Sequence, residues 1–261
     1  MGRSRRFRRG IYLLPTVFTI GNLFCGFYSL VLAFRGDFER AALMIVVAGV
    51  LDGLDGRIAR LTGTTSEFGN QFDSLADVVS FGVAPALLAY RWALLPLGRL
   101  GWLVTFLFLV CAAMRLARFN IQASVGDKRF FAGLPSPSAA GALACVVFAF
   151  PVFPDRDWVP ISVAILVATL GLLMVSRFRY RSFKEFDLRN RRSYIYVLPL
   201  AAIVVAIAIH PKGALLFFAA LYLVSAPSAY VWSVIARRRP QSSSESSEQG
   251  GEAVTDEPAL R

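Results

Sequence analysis

The chain has one histidine, His210, and three cysteines, Cys25, Cys111 and Cys145, among 261 residues. His210 closes the apolar run "AIAIHPKG", the usual place of an interfacial side chain, so serine–histidine chemistry has no base to use. The cysteines all sit in apolar runs and none forms a C-x-x-C pair. That excludes a disulfide framework and a thiolate zinc site, and leaves packed thiols. Acid is scarce too: 17 Asp and Glu stand against 28 Lys and Arg, a net charge of +11. The excess would suit a nucleic-acid partner, but the cations fall in short blocks between apolar runs, the pattern that orients a membrane protein, so no nucleic-acid partner is expected. Internal repeats are missing as well.

What the chain has in quantity is hydrophobic side chain, 56% of all residues. A soluble domain of this length does not carry that load. Several runs reach the roughly 20 residues that cross a hydrocarbon core. The first is followed by many more, so it reads as a span and not as a cleaved signal. The expected fold is all-α: a polytopic membrane helix bundle of about eight spans, near 12–34, 40–61, 72–96, 100–120, 137–153, 158–176, 193–210 and 213–236. Residues 1–240 form one membrane domain, and the Ser/Glu-rich tail 241–261 has the composition of a disordered segment.

With that layout 22 of the 28 basic residues lie on one side, in "GRSRRFRRG", "RFNIQASVGDKRFF", "SRFRYRSFKEFDLRNRR" and "ARRRP" among others. The positive-inside rule makes that side cytoplasmic, with both termini inside. The aromatics Phe178, Tyr180, Phe183 and Phe186, interleaved with cations, suit either a segment lying on an anionic lipid surface or a solvated basic loop.

Against this background "DGLDGRIARLTGTTSEFGNQFDSLAD" stands out, because it puts four aspartates in or beside spans. Asp52 and Asp55 share a helical face with Gly56 and Ala59, and Asp73 and Asp77 share a face of the next helix. A short link lets two antiparallel helices bring all four carboxylates around one point. Four negative charges that close repel strongly, and two hard divalent cations, Mg²⁺ or Mn²⁺, would neutralise them. Such ions also clamp a pyrophosphate. Gly53, Gly56 and Ala59 either leave room for a ligand or let two helices pack closely. Arg57 and Arg60 are ordinary positive-inside residues or, for Arg60, a phosphate contact. Ion transport uses intramembrane carboxylates too, so a cation transporter is the alternative from another class.

The spacing D-x-x-D-G-x-x-A-R, eight residues, then G-x-x-x-D-x-x-x-D resembles the signature of the CDP-alcohol phosphatidyltransferase family at Asp52, Asp55, Gly56, Ala59, Arg60, Gly69, Asp73 and Asp77. The resemblance implies a six-helix membrane core, here extended to eight, and transfer of a phosphatidyl group from a CDP-linked lipid to an alcohol with release of CMP. It implies that Asp52, Asp55 and Asp73 chiefly bind two metal ions, and that Asp77 helps bind metal and acts as base. It also implies that Gly56, Ala59 and Arg60 contact the CDP part, and Asn22, Ser66 and Gly69 join them as candidate CDP-diacylglycerol contacts.

Outside the signature, "TIGNLFCGF", "DSLADVVSFGVAPA", "RLARFN" and "FAGLPSPSAAG" are similar to the bacterial, membrane-embedded branch of the family that uses L-serine as acceptor. Arg115 and Arg118, at i and i+3, suit a carboxylate or phosphate, and Asn120 and Ser136 offer neutral hydrogen bonds to a small zwitterion. These four are the candidate serine contacts, although "RLAR" also reads as a helix anchor and "GLPSP" as a stiff turn. The rival acceptors, glycerol 3-phosphate and an inositol phosphate, need a dianion pocket, for which Arg115, Arg118, Lys128 and Arg129 are the available cations. The expected partners are CDP-diacylglycerol, L-serine and the lipid bilayer, in an inner or plasma membrane with the active site cytoplasmic. A homodimer is left open.

Overall fold

The structure is a computed structural model, and it describes residues 3–62, 66–125, 133–152 and 156–176, with short pieces between 205 and 221. All regular structure among them is helical. Six helices follow one another: α1 (Arg3–Phe34), α2 (Phe38–Thr62), α3 (Glu67–Leu97), α4 (Arg99–Val125), α5 (Ser136–Ala149) and α6 (Trp158–Val175). The expected first span is longer than read from hydrophobicity, because its helix reaches back through the basic block to Arg3. The expected spans 193–210 and 213–236, and the tail 241–261, fall largely or wholly outside the described residues.

Thr16–Phe34, α3, residues 99–121 of α4 and α6 are each long and apolar enough to cross a membrane. Helix α2 has the length for it, 25 residues or about 37 Å, but carries Asp52, Asp55, Arg57 and Arg60 near its end. Helix α5 has only 14 residues, short of the expected 137–153. It spans about 21 Å, less than a hydrocarbon core, and stops where Phe150 and Pro151 leave helical geometry.

Helices α1 and α2 form an antiparallel pair turned by Gly36, whose φ of 80° suits glycine. The core is small and apolar, with Ala41, Ala42, Ile45 and Ala48 of α2 against Phe81, Ala84 and Leu88 of α3. Helices α1 and α3 approach closely at Gly26, where an added Cβ would overlap Oγ and Cα of Ser80. Helix α4 packs on α6 where Gly171 lies against Phe108 and Cys111. All three cysteines are buried and free, as expected of packed thiols.

Helix α3 is not uniform. Its turns widen over Val78–Val83 and Tyr90–Leu94, where Ala84 N–H bonds to Val79 O and Leu95 N–H to Tyr90 O, five residues back. Each widened stretch ends at a proline step, Pro85 or Pro96. A proline withholds its N–H and crowds the carbonyl one turn earlier, and a wider turn relieves both. The first widening begins directly after Asp77.

Candidate active site

The site forms where α2 ends and α3 begins. Ser66 starts α3 as its N-cap, accepting a hydrogen bond from Gly69 N–H at 3.0 Å. A Cβ on Gly69 would press on that hydroxyl, so the signature glycine has a local reason to be small. With the helix entry fixed, Asp73 and Asp77 are carried on one face toward α1 and α2.

Three of the four signature carboxylates converge. One oxygen from each of Asp52, Asp55 and Asp73 lies within 4.8 Å of the others. Asp55 and Asp77 are buried, and Asp52 and Asp73 half-buried. Asp77 stands one turn beyond Asp73, within coulombic reach of Asp52, Asp73 and Asp55. It is held differently: Asn22 Nδ2 donates to Asp77 Oδ1 at 3.2 Å. Thr19, one turn earlier on α1, donates from Oγ1 to Asp55 Oδ2 at 3.3 Å. The carbonyl of Asn22 accepts from Ser80 Oγ at 3.0 Å, which ties α1 to α3 below the carboxylates.

The donor set fits a divalent cation. Three carboxylates gather around one point, with Arg115 the cation beside Asp52, and Asp73 Oδ1 is buried without a hydrogen-bond partner among the described residues. A buried, unsatisfied carboxylate oxygen is costly, and a hard metal ion removes that cost. The α2 face beside the cluster is open at its glycines. A Cβ on Gly53 or Gly56 would meet nothing within 4 Å among the described residues. Among the described residues nothing packs against these two glycines, whereas Ser80 packs against Gly26. Arg57 is exposed, and the side chains of Ala59 and Arg60 lie outside the described residues.

The other side of the cluster belongs to α4 and α5. Arg115 lies within coulombic reach of Asp52 and donates from Nη1 to Ser136 Oγ, a fully buried hydroxyl at the start of α5. Its guanidinium also stands 5.8 Å from the Phe119 ring centroid. Asn120 Nδ2 donates to Ser74 Oγ at 2.9 Å, next to Asp73. Arg118 is turned elsewhere: it is exposed and donates to the carbonyl of Val175 at 3.4 Å. The structure thus brings Arg115, Asn120 and Ser136 to the cluster and directs Arg118 to the end of α6. Lys128 and Arg129 lie outside the described residues.

Thr19 and Ser80 are site residues that sequence reasoning missed. Thr19 opens "TIGNLFCGF" three residues before Asn22, so one helical face was the available signal. His210 is exposed, and its neighbour Lys212 pairs with Glu39 at 3.1 Å. Glu39 precedes Asp52 by 13 residues of α2, about 20 Å, so this end of the bundle is remote from the carboxylates. An apolar cavity of about 620 Å³, lined by Trp92, Phe150 and Trp158 among others, is not near them either.

A family model described as CDP-alcohol phosphatidyltransferase matches residues 12–182. A CDP-diacylglycerol–serine O-phosphatidyltransferase of Helicobacter pylori is 42% identical over 216 residues, 82% of this chain and 89% of the relative. A protein of the same name from Bacillus subtilis is 35% identical over 180 residues, 69% of this chain and 96% of the relative. A third, from Mycobacterium leprae, is 31% identical over 233 residues, 87% of this chain and 77% of the relative.

Proposed function

The chain belongs to the CDP-alcohol phosphatidyltransferase family, and from that premise we propose that it moves the phosphatidyl group of CDP-diacylglycerol to the hydroxyl of L-serine, giving phosphatidylserine and CMP. The observation that carries this reading is the carboxylate cluster set between an open glycine face on α2 and the Arg115–Ser136 pair. The relatives named for serine transfer support the choice of acceptor.

Asp52, Asp55 and Asp73, with Asp77 as fourth carboxylate, would hold two Mg²⁺ or Mn²⁺ ions, which supply neutralisation of the pyrophosphate and of the charge that develops at phosphorus. The chain's own side chains do the rest. The Gly53–Gly56 face admits the nucleotide end of the lipid, with Ala59 and Arg60 a turn further on and Asn22, Ser66 and Gly69 around the helix entry. Arg115 Nη offers a cation to the serine carboxylate, and Ser136 and Asn120 offer neutral hydrogen bonds. Asn22 occupies Asp77 Oδ1, which leaves Oδ2 to receive the serine hydroxyl proton. The serine oxygen bonds to the lipid-linked phosphorus, the bond from that phosphorus to CMP breaks, and CMP leaves. Attack is direct, because no nucleophile–base pair that would form a covalent enzyme intermediate occurs among the described site residues.

The carboxylates sit at the end of the bundle that the basic blocks mark as cytoplasmic, so the active site and both termini face the cytoplasm. CDP-diacylglycerol then docks with its nucleotide in water and its tails in lipid. The test is an acceptor panel: purified protein, CDP-diacylglycerol and Mn²⁺, with CMP release measured for serine, glycerol 3-phosphate and an inositol phosphate. Faster release with either phosphorylated alcohol than with serine would overturn the acceptor assignment.

A further inference from the structure

We infer that Gly133 and Arg118 are positioning residues that set the acceptor side of the site through the C-terminal end of α6. The inference rests on the proposed reading of Arg115 and Ser136 as acceptor contacts.

The last carbonyls of a helix have no partner within it and must find one elsewhere. In α6 Ser176 serves two of them locally, by its N–H to Leu172 O and its Oγ to Leu173 O, and two find partners far away in sequence. Leu173 O accepts from Leu134 N–H at 3.0 Å, and Val175 O accepts from Arg118 Nη1 at 3.4 Å. Between them, Met174 O lies so close to Gly133 that an added Cβ would overlap it. Gly133 also has φ 94°, a conformation that disfavours any L side chain. The glycine of "FAGLPSP" is therefore required twice over, by its own backbone and by the helix end it lies against.

This contact fixes the acceptor side by a closed ring. The turn holding Gly133 and fully buried Leu134 leads at once into α5, whose first residue is Ser136. Ser136 accepts from Arg115. Arg115 lies one turn before Arg118 on α4, and Arg118 returns to α6. Shifting the α6 end displaces Ser136 and Arg115 together, without any change of group at the site. Neither Gly133 nor Arg118 has to touch substrate.

The test uses the full chain in nanodiscs, with Gly133→Ala, Arg118→Ala and the double variant. CMP release is titrated with serine and, separately, with CDP-diacylglycerol. Each single variant is expected to raise the apparent KM for serine about tenfold and to leave that for CDP-diacylglycerol within about threefold. The double variant should be no worse than the more damaging single one, because both break one ring. An unchanged serine KM in Gly133→Ala, or effects that multiply in the double variant, would overturn the inference. Amide exchange gives a second reading that needs only Arg118→Ala. A ring predicts faster exchange of the peptide holding Leu134, whereas a direct Arg118–serine contact predicts no change. If the wild-type protein prefers another acceptor, the serine assignment fails by itself, and the same titrations with that acceptor test the ring.

Discussion

Asn22 and Asp77, 55 residues apart, are joined by a hydrogen bond from Nδ2 to Oδ1 in the buried interior. Asn22 is fully buried, and the bond links α1 to the last signature carboxylate. Removing the amide leaves that carboxylate without its donor, at a cost of about 1–3 kcal/mol. Asn22→Ala should lower turnover about ten- to a hundredfold and lower the melting temperature of the detergent-solubilised protein. A wild-type kcat in this variant would show that Asp77 needs no holding.

Asp77 itself should matter to chemistry more than to assembly. Asp77→Asn keeps the shape and removes the proton acceptor. It should nearly abolish single-turnover CMP release, yet hold CDP-diacylglycerol within about tenfold of wild type, since three carboxylates still converge. Titration of the variant with the CDP-lipid in Mn²⁺, beside the single-turnover measurement, checks both halves. Retention of more than about a tenth of the turnover would assign the proton to another group.

Metal dependence is expected to follow the convergent trio. Asp52→Asn, Asp55→Asn and Asp73→Asn should each cut CMP release by orders of magnitude while the protein still inserts. Each should also weaken Mn²⁺ binding measured calorimetrically without substrate. Wild-type turnover that persists in excess EDTA would refute the metal reading.

Two glycines on neighbouring helices should respond in opposite ways to the same change. Gly56→Ala adds a methyl where nothing lies within 4 Å among the described residues, so stability should hold and affinity for CDP-diacylglycerol should fall. Gly26→Ala pushes into the backbone of Ser80, an overpacking cost of about 1–3 kcal/mol. Thermal melting and CDP-lipid titration on both variants separate the two roles. A destabilised Gly56→Ala with unchanged affinity would make Gly56 a packing residue.

Both termini are expected on the cytoplasmic side, from the division of basic residues into 22 and 6. Reporter fusions at each end measure it. An extracytoplasmic signal from either would break the eight-span layout.

The signature aspartates were legible in the sequence because each pair lies within one helix, where i, i+3 and i+4 spacing fixes a common face. The short link between α2 and α3 then left few ways to arrange them. The six described helices followed from hydrophobic length, except at α1, which runs back through the basic block to Arg3, and at α5, where Phe150 and Pro151 end the helix inside an apolar run. Thr19 on Asp55, Gly26 against Ser80 and Arg118 on Val175 were not legible. Each joins residues dozens of positions apart across a helix interface, and no local period records which faces meet. Arg118 shows the limit best: its spacing from Arg115 is local and readable, whereas the bond from its guanidinium to the end of α6 is not.

The contact of Gly26 with Ser80 has a mechanical consequence. Two backbones that near cannot slide or part without losing the contact, so α1 and α3 behave as a single wall. Asn22, which bonds both Asp77 and Ser80 across this seam, is carried with it, so the last signature carboxylate moves with two helices and not with one.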